Sequence, residues 1–362
     1  MKKYIPRFAL ISFIITAVSL LVYSASLSSV ELADFINATV SVGVRAFLSF
    51  LTYLIPFSLF ELLIILSPLI LIITVVLFVK RGGDRTHRTR GILSLFAVIS
   101  IIFTSYIYTL GIGYHTTPLS ERIDVEDSDD FEVRDLHYAL IQVITELNSC
   151  ANGLTLTNGE TVMPYSKDEM SKKLIEAYDR MNESYSLIAN YPSRVKPVYF
   201  STVMSDLGIS GIYSFFTGEA NVNVEYPDYC IPYTSAHELA HQRGICRENE
   251  ANFVAFLVCI SSDDDYIRYS GYLNMYEYLS SALYASSSEL YYEAARSLPS
   301  VAISDMRAAS EVYREHKDSL LGKINERLND AYLKANGTDG VVSYGYVVRL
   351  AVGYYQKQNY GK

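Results

Sequence analysis

The apolar positions of this chain follow two regimes. Over the first third they run almost unbroken, from Phe8 to about Tyr23, Phe57 to Val79 and Ile92 to about Tyr114, and each run is read as a membrane-spanning helix. From about Val133 the runs break up. Leu136, Leu140, Val143, Ile144 and Leu147 recur at three- and four-residue spacing, the period of a helix with one buried face. A further helix is expected over Lys167 to Ala189, up to Tyr191-Pro192, and long helices over about 265–335. Tyrosines at helical spacing there, Tyr266, Tyr269, Tyr272, Tyr276 and Tyr278, read as packing residues with a wet hydroxyl. One stretch alternates instead: Asn221-Val222-Asn223-Val224-Glu225-Tyr226, between Gly218 and Pro227, predicts a strand.

The polar residues between the apolar runs orient them. Lys2, Lys3 and Arg7 precede the first run, which is longer than a usual signal core and reads as a retained helix rather than a cleaved signal peptide. Residues 28–55 are apolar but interrupted by Glu31, Asp34 and Arg45, the pattern of an amphipathic helix on the outer membrane surface. The connector from Lys80 to Arg90 is strongly basic, as expected of a cytoplasmic loop between two spans, and is a poor DNA-binding segment. Three spans, about 8–26, 57–79 and 92–114, then deliver the rest of the chain to the extracytoplasmic side. Glu61 sits near the start of the second span, where interfacial exposure is expected. An acidic linker over 115–131 follows, including Asp124 to Asp130, without the spaced ligands and glycine of a calcium loop.

Composition agrees with the membrane reading. Half of the 362 residues are apolar, and a formal charge of −9 gives no reason to expect nucleic acid. Cys150, Cys230, Cys246 and Cys259 show no CxxC spacing, so they form neither a second zinc site nor a thioredoxin-like pair; a disulfide and free buried thiols both stay open.

The chemistry concentrates in His237-Glu238-Leu239-Ala240-His241. On a helix over 233–243, His237 and His241 are one turn apart on one face and can share a metal ion. Glu238, turned partly round the helix, is placed as general base on a metal-bound water. Gly244 can end that helix at positive φ, so a second helix begins at once. There Glu248 and Asn252 share a face: Glu248 is the expected third ligand, and Asn252 would accept a hydrogen bond from a ligand histidine. Glu250 points away and is the fallback ligand.

This pattern resembles the gluzincin metallopeptidases, in which a glutamate on a later helix completes HExxH, often within a Glu-x-x-x-Asp pair. Here the pair is Glu248 and Asn252, an amide in place of the carboxylate, and the connection from His241 is short. The likeness implies zinc (Zn2+), and an edge strand at 221–226 whose Asn221 and Asn223 segment holds extended substrate by backbone hydrogen bonds. Three blocks also resemble a bacterial family of membrane proteins labelled only as a domain of unknown function, DUF3810: Phe216 to Asn223, His237 to Asn252, and Tyr332 to Gly337 with Ser343-Tyr344-Gly345. Gly111 to Pro118 fits weakly. That resemblance implies three spans and an outward-facing zincin-like domain, without an activity.

The expected fold is therefore α+β and mainly helical: a membrane region over 1–114, the acidic linker, and a zincin-like, gluzincin-type extracytoplasmic domain over 132–362 with a small edge strand. The expected function is a membrane-anchored zinc metallopeptidase acting on peptide or envelope protein substrates outside the cytoplasm, with the lipid bilayer as its other partner. Tyr213 and Tyr233 are among the open candidates for a donor to the transition-state oxyanion. The alternatives are a non-catalytic zinc-stabilised binding or signalling module, and an envelope-assembly or transport accessory working through its spans.

Overall fold

The computed structural model describes residues 5–80, 85–127 and 130–360. The expectations resting on Lys2, Lys3, residues 81–84 and Ser128-Asp129 lie outside them. The chain divides into two units: residues 1–116 with the short excursion Ser214–Glu219, and residues 117–213 with 220–362.

The first unit contains α1 (Arg7–Ser26), α2 (Val30–Ile36), α3 (Val42–Tyr53), α4 (Leu59–Lys80) and α5 (Arg85–Thr109). α4 is apolar on every side and buries none of its residues against protein. A helix of that kind is long and apolar enough to cross a membrane. α1 packs along α5, where Thr16 Oγ1 lies 3.0 Å from Ser100 O and 2.9 Å from Thr104 Oγ1, the small-polar stitch common between membrane helices. The segment expected to lie on the membrane surface is different in kind. A π turn, Asn37–Ser41, joins α2 to α3 without a break, so that Val30–Tyr53 is also long and apolar enough to cross. Four such helices are therefore present among the described residues. Arg45, expected on a polar face, is buried: its guanidinium donates to Asn37 Oδ1 (2.8 Å), Asn37 O (3.1 Å) and Tyr108 O (3.3 Å). The excursion supplies Phe215 O, which accepts from Ser105 Oγ (2.6 Å), and the Glu219 carboxylate, which accepts from the first N–H groups of α4, Leu59 (3.0 Å) and Phe60 (2.8 Å).

The second unit is mainly helical: α6 (Leu119–Ile123), α7 (Val133–Ala151), the hairpin β1 (Leu156–Thr157) and β2 (Glu160–Thr161), α8 (Lys167–Tyr185), β3 (Val195–Val198), α9 (Ser201–Asp206), β4 (Gly211–Ser214), β5 (Glu219–Asn223), α10 (Cys230–Gln242), α11 (Glu248–Ile260), α12 (Asp265–Ser286), α13 (Ser288–Ala295), α14 (Ser300–His316), α15 (Leu320–Ala335) and α16 (Val347–Tyr360). The five apolar positions that predicted α7 are all buried, against α12. α8 stops at Tyr185, short of Ala189, because Asn182 Oδ1 takes the N–H groups of Leu187 (3.1 Å) and Ile188 (3.2 Å) and turns the chain with Ser186 left-handed. The acidic stretch is anchored by its apolar members, since Leu119, Ile123 and Val125 enter the core. Tyr266, Tyr269, Tyr272 and Tyr276 pack as expected, but the Tyr269 hydroxyl is not wet: it donates to the buried Asp305 (2.7 Å), which also holds Thr161.

The strand expectation needs correcting. The larger sheet has the order β3-β5-β4, with β5 parallel to β3, so the segment carrying Asn221 and Asn223 is the central strand. Its neighbours on both sides leave no free edge there. The edge next to α10 is β4, which sequence periodicity did not reveal.

α11 and α12 approach so closely that a Cβ placed on Gly271 would lie 2.4 Å from Cys259 Cβ. Gly271→Val should force these helices apart and cost about 1–3 kcal/mol, read as a lower Tm. An unchanged Tm would show that the helix pair yields freely.

Candidate metal centre

α10 carries His237, Glu238 and His241 on its last two turns. It ends at Gly244, φ +96°, where Ile245 N–H reaches back to Ala240 O (3.0 Å). Glycine adopts that conformation at little cost, and the reversed chain enters α11 at once, with Glu248 as its first residue. The same reversal brings the Ile245 carbonyl to 2.8 Å from His241 Nδ1. A carbonyl only accepts, so the imidazole proton stays on Nδ1 and Nε2 faces the cluster with its lone pair.

There the three expected ligand atoms converge. His237 Nε2 and His241 Nε2 are 3.0 Å apart, and Glu248 Oε2 lies 3.2 Å from the first and 3.5 Å from the second. Tetrahedral zinc, with bonds of about 2.0–2.1 Å, spaces its ligand atoms about 3.3 Å apart. The observed distances bracket that value. Among the described residues these three are the one group of histidine, cysteine and carboxylate side chains spaced to hold an ion.

Charge supports the fit. Burial disfavours both charged groups, yet each stabilises the other: the Glu248 carboxyl is held well below its usual range by the two imidazoles, and His241, facing Glu248, is pushed up to about 9.

Glu238 is buried beside the cluster and donates nothing to the ligand set. Burial raises its pKa above the usual carboxylate range, while the two histidines and the Tyr213 N–H act to lower it. It lies against β4: a Cβ on Gly211 would meet Glu238 Oε1 at 2.5 Å and Cγ at 2.7 Å. Only glycine leaves room for the carboxylate there. From far along the sequence, in the 3-10 turn Gly340–Tyr346, comes Tyr344. Burial, and after it the negative charge of Glu248, push its hydroxyl far above the usual phenol range; Asn329 Nδ2 is 3.3 Å from that oxygen.

Other expected residues fall elsewhere. Glu250 Oε1 accepts from Leu119 N (2.9 Å) and Arg247 Nη1 (2.8 Å), so the fallback ligand is engaged in holding the chain before α6. Asn252 is buried, but neither its Nδ2 nor His237 Nδ1 has a hydrogen-bond partner; the residue that orients a ligand histidine is Ile245, on His241. Asn221 Nδ2 donates to Ile212 O (3.1 Å), and Asn223 Nδ2 to Ser205 Oγ (2.9 Å) and Ile209 O (3.0 Å). Both amides therefore fasten β4 and α9 from within the protein, and the role of contacting substrate is not theirs. The Tyr233 hydroxyl is spent on Asn252 O (2.9 Å).

Arg243, fully buried at the end of α10, holds the helix in place. Its guanidinium lies 4.4 Å from the Tyr178 ring and donates to Asn190 Oδ1 (2.9 and 2.7 Å), Tyr191 O (3.1 Å) and Leu239 O (3.3 Å). A cation at a helix C-terminus complements the exposed carbonyl dipoles.

Because His241 must lose a proton to bind an ion, zinc affinity should rise with pH from 6.5 to about 9, by about tenfold per pH unit, with one proton released per ion. Chelator competition across that range checks the slope. A flat profile would exclude His241 as a ligand.

No curated protein and no solved structure matches the chain. Residues 38–352 match the family described as "Protein of unknown function (DUF3810)", a span that takes in the ligand residues, β4 and Tyr344, and the chain therefore belongs to that family.

Proposed function

We propose that this chain is a membrane-anchored zinc metallopeptidase that hydrolyses peptide bonds of peptide or envelope protein substrates on the extracytoplasmic side. The observation that carries the reading is the convergence of His237 Nε2, His241 Nε2 and Glu248 Oε2 at 3.0–3.5 Å, with a buried carboxylate one residue past the first histidine. A structural zinc is closed by four protein ligands, whereas three with an open position are the catalytic arrangement. That difference favours a peptidase over a binding module held together by zinc.

Zinc, when bound, supplies a Lewis acid for the scissile carbonyl and acidifies a water. The chain's own groups do the rest. Glu238 takes the proton of the attacking water and passes it to the leaving amine, a task suited to a carboxylate whose proton affinity burial has raised. β4, at the sheet edge beside Glu238, offers main-chain groups to an extended peptide, the role expected of Asn221 and Asn223. Tyr344 is the donor we assign to the oxyanion, since its hydroxyl is the phenol whose charge is coupled to both Glu248 and Glu238.

The side of the membrane follows from the basic connector. Lys80 at the end of α4 and Arg85, Arg88 and Arg90 in the first turns of α5 favour the cytoplasmic side for this junction, which directs the end of α5 and all that follows outward.

Full-length protein in lipid nanodiscs, wild type and Glu238→Gln, should each hold one zinc, with a mixed peptide library cleaved only by wild type. Equal cleavage by both, or none by either, would sink the peptidase reading; absence of metal would remove its basis. Tyr344→Phe should keep zinc and KM and lower kcat by about a hundredfold. An unaltered kcat would release Tyr344 from its role.

A further inference from the structure

α15 has one face that none of the described residues covers. Its inner side is fastened to α9: Asn325 Nδ2 donates to Leu207 O (3.0 Å), and a Cβ on Gly322 would touch Asp206 O at 3.0 Å. The outer side carries Leu320, Leu321, Ile324 and Leu328, which are 70, 48, 47 and 65 % exposed. At 3.6 residues per turn these four make one stripe. Lys323, Arg327 and Lys334 line one border of it; Lys334 is paired with Asp330 (2.8 Å) and Lys323 lies 4.0 Å from Asp318, with Glu326 farther round. α9, packed beside α15, adds Val203 and the edge-on aromatic pair Tyr199 and Phe200, with Tyr199 86 % exposed.

So much exposed apolar side chain is expensive in water, and its chemistry is that of an interfacial helix. The aromatic rings suit the headgroup level, the leucines the acyl boundary, and the bordering cations the phosphates of anionic lipid. The cations are a local feature of a chain whose formal charge is −9. The bilayer is also never distant, because the apolar helices α1, α4 and α5 hold this unit on a tether to it.

We propose that the α9–α15 face is a membrane-docking surface, on which Leu320, Leu321, Ile324, Leu328, Tyr199 and Phe200 enter the headgroup and acyl boundary of an anionic bilayer. The inference concerns the membrane alone and does not depend on the metal centre. If it holds, the second unit works lying on lipid, and whatever reaches it does so close to the membrane surface.

The chain contains no tryptophan, so a single introduced indole reports its own surroundings. Leu328→Trp and Tyr199→Trp, with Leu156→Trp as the control on the exposed β1 turn, would be placed in the full-length protein. Each is reconstituted in phosphatidylcholine–phosphatidylglycerol vesicles with plain or brominated acyl chains. The first two should emit to the blue and lose at least about half their intensity to bromine, while the control emits as in water and loses none. Emission from all three as in water, quenched by aqueous iodide, would overturn the proposal. So would a blue-shifted but bromine-insensitive indole, which would mean that protein covers the face. Agreement between the two test positions, each with wild-type circular dichroism, guards against a local misfold.

Discussion

The hydrogen bond from His241 Nδ1 to the Ile245 carbonyl is the constraint on which the rest of the site depends. It exists because the chain reverses within a few residues at Gly244, and that same reversal is what lays Glu248 beside His237 and His241. One turn thus does two things: it selects the tautomer that frees Nε2, and it delivers the third atom of the cluster, the Glu248 oxygen. The short connection from His241 to Glu248, which looked like a departure from the gluzincin pattern, is the means by which both happen. Arg243 secures the arrangement from behind. It is a buried cation spread over neutral acceptors and the face of Tyr178, and moving the end of α10 would strand that charge in a dry interior.

The second element of the site is a space rather than a contact. Gly211 leaves the volume in which the Glu238 carboxylate sits, and Tyr213 N–H reaches the same carboxylate from the next turn of the strand path. β4 is itself fastened by side chains of its central neighbour, with Asn221 bonded to Ile212 O. The chain then leaves the strand through Phe215 and Phe216 and returns at Glu219, whose carboxylate caps the start of α4. The residues of the Phe216 to Asn223 block thus divide between holding an apolar helix and holding the strand beside the candidate base.

Local chemistry was legible in the sequence, and pairing at a distance was not. His237, Glu238, His241 and Glu248 could be read because helical periodicity alone puts them on shared faces, and Gly244 because positive φ has a residue signature. The alternation at 221–226 signalled a strand that the structure places earlier, at Glu219–Asn223, and whether a strand is central depends on its neighbours. Those are Val195–Val198, which contains Pro197, and Gly211–Ser214, four residues opened by a glycine; neither has a pattern that stands out. Ile209-Ser210-Gly211-Ile212-Tyr213-Ser214 does alternate weakly, which was the available signal. Asn252 failed differently: the helix placed it on the right face, but the role expected of it went to a main-chain carbonyl, which no side-chain pattern encodes. Tyr344 is separated from Glu248 by five helices, so only the fold could associate them.

The same limit applies to the membrane region, where the number of crossings turns on Arg45. If Val30–Tyr53 crossed in addition to α1, α4 and α5, the connector with Lys80, Arg85, Arg88 and Arg90 would lie on the side opposite the basic N-terminus, against the distribution that charge asymmetry favours. An arginine within a crossing helix is costly unless its donors are satisfied, and Arg45 meets that cost only in part, through Asn37 and the Tyr108 carbonyl with Nε left over. The π turn at Asn37 serves this bonding, since it turns the Asn37 carbonyl and amide toward the guanidinium. Arg45 thus ties the Val30–Tyr53 segment to the end of α5. An even number of crossings before the connector would keep both basic segments on one side, the distribution that charge asymmetry favours.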